Sequence, residues 1–486
     1  MKKTLVATSV FICGACVMAL ELAGMKIFAP YFGTSLFVYS AVIGIILGSM
    51  SYGYGLGGKL ADKNPTYKVY SLLIALSSIL VALVGVLKNP ILTWISFIKL
   101  GASLGSITAS IILLAIPAVF LATVSPYAIK LILDDMGTVG AISGRLSALS
   151  TGGSIFGTFL TSFVLIPSFG TTKIVVIISC VLFAVALLFI SRESWKLMSI
   201  AAVVILICSI ISLTSRPGIP GLIDQRDTKY STISVIDEGD MRTMLINNEH
   251  SSAIFLSNDK LAHKYLEFYD LAFHFNPGLK SALCIGGAGY SYPSYYIKKY
   301  PECTMDVVEI DEGATTLARE YFGLTDNPRL GIIHQDGRVF LNNNTKKYDA
   351  VLGDAFNSHS PPAQLVTLEA TKLAYDSLND NGIYLINVIG SLDYTYGAIG
   401  NAMYGTMQAV FPQVYMFPVH APHDESVAQN LIIVGIKSTD IPSFENEDEH
   451  INAMLGNLVE YKSSIPIMTD DYAPVDFYTA PYTTAL

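Results

Sequence analysis

The stretch Ala282-Leu-Cys-Ile-Gly-Gly-Ala-Gly-Tyr290 decides the fold of the C-terminal half, together with Val307-Val-Glu-Ile-Asp311 further along the chain. Each begins as a short apolar run typical of a buried strand; the first enters a glycine turn and the second ends in carboxylates. In an open α/β sheet, glycines in such a turn let the backbone approach a ligand closely. An acid at the end of the next strand accepts hydrogen bonds from a ribose diol. The two stretches together predict a nucleoside-binding domain.

Strand and helix patterns alternate on both sides of these motifs. A Pro/Gly break at 215–221 is followed by a small β-layer and an amphipathic helix at 261–275. From residue 282 the alternation predicts an open parallel sheet of the Rossmann-like kind. The strands of the β-layer are predicted at 230–237, 241–246 and 253–256, with a turn at Asn247-Asn248, and those of the sheet at 282–285, 305–310, 330–334, 348–353, 382–388, 414–417 and 430–435.

The N-terminal half has the composition of a membrane domain. Of all 486 residues, 52% are hydrophobic and only 14% are charged, which excludes a wholly soluble chain. Residues 90–103 are short for a span and are either re-entrant or an eighth crossing. Seven apolar runs of about bilayer length are predicted at 4–24, 37–57, 69–87, 105–126, 147–167, 172–190 and 197–214.

The predicted architecture is therefore an N-terminal all-α transmembrane bundle of about seven or eight helices, followed by a Rossmann-like nucleoside-binding α/β domain. The predicted domains are residues 1–214 for the bundle, 215–280 for the linker, β-layer and amphipathic helix, and 281–486 for the α/β domain. The small β-layer precedes the α/β domain.

Polar and small residues inside the bundle allow two interpretations. Glu21 is the one obvious acid well inside an apolar run, and it either pairs with Lys26 or forms a substrate or proton site. Glycine-rich stretches such as 44–58 favour tight helix packing over a transport pathway. Cys13 and Cys16 lie in an apolar run, so packing is favoured over a redox pair.

Charge and cysteine content exclude several functions. The net charge is -9 and no Lys/Arg-rich run occurs, which argues against a nucleic-acid partner. The six cysteines are scattered and predict neither a disulfide framework nor a metal site.

Candidate ligand-binding and catalytic residues follow the predicted strands. Glu309 is the ribose candidate, while Asp311, two residues on, is predicted to cap a helix. Asp354 ends the strand 348–353, where a carboxylate is placed to handle a proton or a cation. The remaining candidates are Gly286, Gly287 and Gly289 in the first turn, and Asp336 with Gly337 in the turn after 330–334, where an acid accepts from an adenine amine.

The chain resembles the spermidine synthase family of polyamine aminopropyltransferases, and more closely the bacterial group that fuses such a domain to a membrane bundle. The resemblance extends over nearly the whole chain. Besides the nucleoside motifs, it is carried by Glu21-Leu-Ala-Gly-Met-Lys-Ile-Phe-Ala-Pro-Tyr-Phe-Gly33, Gly55-Leu-Gly-Gly-Lys-Leu-Ala-Asp62, Ser150-Thr-Gly-Gly-Ser-Ile-Phe-Gly157, Asp354-Ala-Phe356, Leu365-Val-Thr-Leu-Glu369 and Thr469-Asp-Asp-Tyr-Ala-Pro-Val475.

This resemblance implies an enzyme of polyamine biosynthesis. S-adenosylmethionine or its decarboxylated form would be the co-substrate, an amine would attack the carbon beside the sulfonium, methylthioadenosine would leave, and no metal would be required. Glu309 would bind the ribose, Asp336 the adenine, and Asp354 would be the general base. Tyr265 matches the substrate-gating tyrosine of the family, and His359 is either a second base or a solvated loop histidine.

The chain also departs from the family pattern. Gly289 stands where soluble members carry an aspartate that holds the donor's primary amine. This departure keeps open a methyltransferase, or a lyase that cleaves S-adenosylmethionine to methylthioadenosine. A transporter or sensor with a nucleoside-binding domain is a third alternative. Residues left for an acceptor pocket are Asp393, Asp470, Asp471, Tyr394, Tyr396 and Tyr472.

Location and partners follow from the two halves together. We expect a multi-pass protein of the cell (inner) membrane, in contact with the lipid bilayer. An N-terminus in the cytoplasm would, with seven spans, place the α/β domain outside. It is favoured because it puts the following basic residues on the cytoplasmic side: Lys2, Lys3, Lys59, Lys63, Lys68, Lys130, Arg145, Arg192 and Lys196. The nucleoside donor is cytoplasmic, and on that ground the catalytic domain is predicted in the cytoplasm. The acceptor is a small-molecule amine or a substrate delivered from the membrane, and a homodimer is possible by analogy.

Overall fold

The computed structural model describes residues 2–63, 65–98, 100–133, 139–215, 218–355, 360–393 and 397–485, with side chains as far as residue 480. It divides into two compact units: Met1–Ile219 with Asp227–Ser231, and Pro220–Arg226 with Thr232–Leu486. The first unit is built of helices and the second is α/β.

Within the described ranges of the helical unit, six helices are long and apolar enough to cross a membrane. A seventh apolar helix, Thr171–Leu187, has 17 residues, which corresponds to about 25 Å. Residues 90–97 do not form a separate segment; they continue the third helix past Pro90. The six long helices are Lys2–Phe32, Leu36–Lys63, Tyr67–Phe97, Gly101–Ile132, Val139–Ser168 and Trp195–Thr214.

Glycines bring the helix backbones into direct contact. A Cβ added at Gly153 would lie 1.9 Å from the carbonyl oxygen of Phe11, and one at Gly57 would lie 2.5 Å from that of Thr123. Gly44 and Gly48 face open space instead. Part of the glycine-rich stretch 44–58 therefore serves close helix packing, as predicted from the sequence.

The order of these contacts shows the direction of the helices. Gly153 lies against Phe11 and Gly157 against Ala15, so the first and fifth helices are parallel. Gly85 lies against Ser212 and Ala82 packs with Ile205, so helix Trp195–Thr214 is parallel to helix Tyr67–Phe97. Short connections reverse the chain between the first three helices, so the first and third helices run in the same direction. Helix Trp195–Thr214 also runs in this direction. Lys2 begins the first helix and Thr214 ends the last one, so these two residues lie at opposite ends of the bundle.

The small β-layer is a four-stranded sheet in the order β1-β2-β3-β4. Its strands are β1 Leu222–Asp227, β2 Thr232–Glu238, β3 Met241–Ile246 and β4 Glu249–Phe255. The predicted turn is confirmed, since Asn247 and Asn248 both have positive φ, at 52° and 64°. β1 was not predicted. The amphipathic helix expected at 261–275 is shorter, a 3₁₀ segment Lys264–Asp270 followed by helix Leu271–Phe275.

The main sheet has seven strands in the order β10-β11-β9-β8-β5-β6-β7. The strands are β5 Ser281–Ile285, β6 Thr304–Val308, β7 Leu330–Ile333, β8 Tyr348–Gly353, β9 Leu378–Gly390, β10 Gln413–Pro418 and β11 Gln429–Ile436. The five strands β5 to β9 are parallel where they pair. The prediction of a wholly parallel sheet is wrong at β11, which runs antiparallel to both of its neighbours, β9 and β10. β10 and β11 form a hairpin at one edge of the sheet.

Alternate residues of the central strands enter two separate cores, one on each face of the sheet. Cys284 and Leu352 belong to one core, and Leu283 and Val351 to the other. Strands buried on both faces explain why these segments are continuous apolar runs. The polar residues of the sheet are consequently concentrated at the strand ends.

Candidate active site

The register of the sheet brings the predicted site residues to one edge. Ile285 at the end of β5 pairs with Val308 of β6 and with Gly353 of β8, and Val308 pairs with Ile333 of β7. The residues that follow these positions therefore lie side by side at the carboxyl edge, where open α/β sheets bind ligands.

The glycine turn after β5 has an unusual backbone. Gly286 has a φ of 101°, and a Cβ there would lie 2.4 Å from the carbonyl oxygen of Asp354, so no other residue fits. Ala288 and Tyr290 also have positive φ, at 43° and 56°, a conformation that costs energy for residues with a Cβ. The surrounding contacts must hold this turn in shape.

Glu309 supplies those contacts. One carboxylate oxygen accepts from the backbone N–H groups of Gly287 and Ala288 at 2.8 and 2.9 Å, and the other accepts from the N–H of Asp311 at 2.8 Å. A carboxylate offers about four lone-pair sites, so these bonds leave about one for a ligand in this conformation. The residue predicted to accept from a ribose thus organises the glycine turn.

Two further acids are helix caps. The side chain of Asp311 accepts from the N–H of Gly313 at 3.0 Å, which confirms the predicted cap. Asp336 caps helix Gly337–Asn343 through one oxygen, which accepts from the N–H of Val339 at 3.0 Å. A Cβ at Gly337 would lie 2.6 Å from the Ile285 side chain, so a glycine is needed where this turn meets the sheet.

Asp354 follows β8 and has the most perturbed environment at this edge. Its N–H donates to the carbonyl of Ile285 at 2.8 Å, and the hydroxyl of Tyr265 donates to its carboxylate at 3.3 Å. Burial raises the pKa of Asp354 to about 7, and the side chains of Tyr269, Asn387 and Tyr265 oppose that rise. A carboxylate that titrates near neutral pH is suited to general-base chemistry.

Tyr269 and Asn387 are site residues that the sequence did not reveal. The Tyr269 hydroxyl is buried close to the Asp354 carboxylate and helps to lower its pKa, although the geometry between them falls short of a well-formed hydrogen bond. Tyr269 follows Tyr265 at a four-residue spacing, and Asn387 interrupts the apolar run of β9. That polar interruption in a strand buried on both faces was the signal available in the sequence.

The structure describes only some of the residues that were predicted to form the acceptor pocket. Asp470 forms a bidentate ion pair with Arg338, with N–O distances of 3.0 and 2.6 Å, and this holds the pKa of Asp470 below its usual value. It therefore fastens its segment to helix Gly337–Asn343. His359, Tyr394 and Tyr396 lie outside the described residues.

Steric contacts explain why residue 289 is a glycine. A Cβ at this position would lie 2.8 Å from both Cβ and Oγ of Ser252 in β4. The Ser252 hydroxyl is in turn hydrogen-bonded to that of Ser291 at 2.7 Å. Since Ser252 occupies this space, an acidic side chain does not fit at residue 289 without rearrangement of β4.

Comparisons with known proteins agree with this geometry. Residues 263–445 match the Spermine/spermidine synthase domain. The polyamine aminopropyltransferase of Vibrio vulnificus is 23% identical over 305 residues, covering 57% of this chain and 99% of that one. The enzyme of the same name from Streptococcus uberis is 30% identical over 230 residues, covering 46% of this chain and 78% of that one.

Among solved structures, a probable spermidine synthase from Corynebacterium glutamicum aligns with a TM-score of 0.44 and 23% identity, covering 51% of this chain and 91% of that one. An open α/β sheet with a glycine turn and carboxylates at its carboxyl edge is typical of nucleoside-dependent transferases. The chain belongs to the spermidine synthase family of polyamine aminopropyltransferases. It is therefore assigned to the transferases.

Proposed function

We propose that the α/β unit transfers an aminopropyl group from decarboxylated S-adenosylmethionine to an amine and releases methylthioadenosine. Asp354 carries this proposal, because its pKa is raised to about 7 at the sheet edge that also holds the glycine turn. Membership of the family indicates the class of donor, and Asp354 is the base at the sheet edge where that donor would bind.

The reaction needs a base and correct positioning. The lone pair of the acceptor nitrogen forms a bond to the methylene carbon beside the sulfonium, the C–S bond breaks, and its electron pair neutralises the sulfur. The nitrogen must lose a proton, which the Asp354 carboxylate is placed to accept. Tyr265, whose own pKa is raised by burial and by Asp354, stays protonated and orients that carboxylate.

The nucleoside half of the donor would lie along the glycine turn. Glu309 would accept from the ribose through its remaining lone pair, and Asp336 from the adenine amine through the oxygen that does not cap the helix. Gly286, Gly287, Gly289 and Gly337 would form the backbone turns along which the nucleoside lies. His359 would serve as a second base for the proton of the acceptor nitrogen.

A second function has one observation in its favour. Ser252 occupies the space beside Gly289, so the site has no carboxylate there to hold the amine of a decarboxylated donor. A donor that keeps its own carboxylate would meet no repulsion at that point. S-adenosylmethionine would then undergo methyl transfer, or internal cleavage to methylthioadenosine and a lactone.

The products distinguish these functions. The purified full-length protein is incubated with each donor, with and without a diamine, and nucleoside products are identified by mass spectrometry. We expect methylthioadenosine only when decarboxylated donor and amine are both present. Methylthioadenosine from S-adenosylmethionine without amine would establish the lyase, and S-adenosylhomocysteine would establish methyl transfer.

We also propose that the helical unit is embedded in the cell membrane. Large apolar side chains such as Leu47, Phe97 and Leu206 are 56%, 84% and 60% exposed, while hydroxyls such as those of Ser78 and Ser179 are buried against each other. Exposed apolar surface with polar groups inside suits lipid rather than water. The protein should remain in the membrane fraction after alkaline carbonate extraction, and its release as a soluble chain would disprove integration.

The donor places the α/β unit in the cytoplasm, and the bundle makes this orientation testable. Since Lys2 and Thr214 lie at opposite ends of the bundle, the N-terminus would then face outward, against the preference of basic residues for the cytoplasm. A cysteine introduced at Thr4 should be labelled by an impermeant reagent on intact cells. Labelling only after permeabilisation would place the α/β unit outside.

A further inference from the structure

The helical unit contains a cavity that the transferase chemistry does not use. It has a volume of about 520 Å³ and lies between the first helix, the fifth helix and the end of helix Gly101–Ile132. This volume falls within the range of about 300–1,000 Å³ that is usual for small-molecule sites.

The packing of the two parallel helices explains the cavity. They touch closely where Gly153 lies against Phe11 and Gly157 against Ala15. Towards their N-terminal ends, the fifth helix presents Ile142, Arg145, Leu146 and Leu149 to the cavity in place of these glycines. Phe11 is the deepest residue of the lining on the first helix.

The lining has two chemically different ends. Extending the pairing of Gly153 with Phe11 along the parallel helices puts Arg145 level with Lys3, and both line the cavity near the N-terminal ends. Arg145 has no ion pair with any carboxylate in the described part of the chain. Below the two cations, over a depth of about 12 Å, the lining is mostly apolar, with Ala7, Phe11, Ile132, Leu146 and Leu149, and it also contains Thr4 and Thr8.

We propose that this cavity binds an anionic phospholipid, with its headgroup phosphate against Arg145 and the upper part of an acyl chain along the apolar part of the lining. Basic pockets between membrane helices recognise anionic headgroups, and the apolar depth favours a lipid over a free anion. This inference rests on the membrane integration proposed above and is independent of the transferase chemistry.

Native mass spectrometry of the full-length protein in detergent tests the proposal. Phosphatidylglycerol should be retained in preference to phosphatidylcholine. Arg145→Gln should weaken its retention about fivefold, as expected for one cation near an anionic headgroup. Arg192→Gln, which removes an exposed arginine that does not line the cavity, should have no effect.

A second variant addresses the apolar end. Ala7→Phe fills the lining and keeps both cations, so it should also reduce phosphatidylglycerol retention. Equal retention of the two lipids, equal effects of Arg145→Gln and Arg192→Gln, or displacement of the lipid by inorganic phosphate would each overturn the proposal. Carbonate extraction of membranes from the same cells, before detergent is added, shows separately whether membrane integration has failed.

Discussion

Replacing Asp354 with asparagine is expected to lower turnover by about 10² to 10⁴-fold, the usual contribution of a positioned base. The amide keeps the size and most hydrogen bonds of the carboxylate but does not accept the proton of the attacking amine. Steady-state release of methylthioadenosine measures the effect. Asp440→Asn, the same change on an exposed loop, should leave the rate unaltered.

The pH dependence provides a more specific test of Asp354. Only the ionised carboxylate is a base, so kcat/KM should rise with pH through about 7 in the unmodified protein. Tyr265→Phe removes a hydrogen bond that stabilises the charged form, and the rise should move to higher pH. An unmoved profile in Tyr265→Phe, together with full activity in Asp354→Asn, would assign the base elsewhere.

Stability measurements separate lost chemistry from lost folding. The pKa of Asp354 is raised from 3.8 to about 7 in the folded protein, so the folded state binds this proton more tightly than the unfolded chain. The free energy of unfolding therefore falls as pH rises between these values and stays lower above pH 7. The Asp354→Asn variant has no carboxyl group that ionises at this position, so its free energy of unfolding does not fall in this way. Its Tm should therefore exceed that of the unmodified protein by more at pH 8 than at pH 4. An inactive variant with a raised Tm would confirm that the acid is kept for chemistry.

Replacing Glu309 with alanine is expected to weaken nucleoside binding by about 1–3 kcal/mol, or roughly 5- to 150-fold. The carboxylate contributes in two ways, as the proposed ribose acceptor and as the partner of three backbone N–H groups around the glycine turn. Without it, the left-handed residues Ala288 and Tyr290 lose the contacts that hold their conformation. Isothermal titration with methylthioadenosine measures the loss.

Two further variants serve as controls for this binding measurement. Glu312→Ala removes an exposed acid from the helix that follows and should change the affinity little. Glu309→Gln keeps oxygen acceptors for part of the turn and should lie between the alanine variant and the unmodified protein. Unchanged affinity in Glu309→Ala would rule out the ribose assignment and leave Glu309 a structural role.

The strand ends were the most predictable part of the site. Buried parallel strands are short apolar runs, so the polar residues that follow each run mark the carboxyl edge. Glu309 and Asp354 directly follow their strands, and Asp336 is the third residue after β7. Residues that reach the site from elsewhere were harder to find. Tyr269 lies in a segment predicted as an amphipathic helix, of which only Tyr265 was assigned to the site, and Asn387 lies inside a strand rather than at its end.

The antiparallel pairing of β10 and β11 could not be predicted from the sequence either, because an apolar run has the same pattern in either direction. The direction of pairing is set by the hairpin that the two strands form. Likewise, the glycine-rich helices predicted close packing, but only the structure shows that Gly153 and Gly157 contact the first helix while Gly44 and Gly48 face outward.

The order of apolar runs, glycine turns and acids along the chain was sufficient to predict a helical membrane unit, a nucleoside-binding α/β unit and the acids of its sheet edge, because these features depend on local periodicity. Three-dimensional packing decided which acids are already engaged by backbone groups, which carboxylate is buried enough to titrate near neutral pH, and why residue 289 is a glycine. Those properties depend on neighbours that are distant along the chain, such as Ser252 beside Gly289, and local patterns carry no information about them.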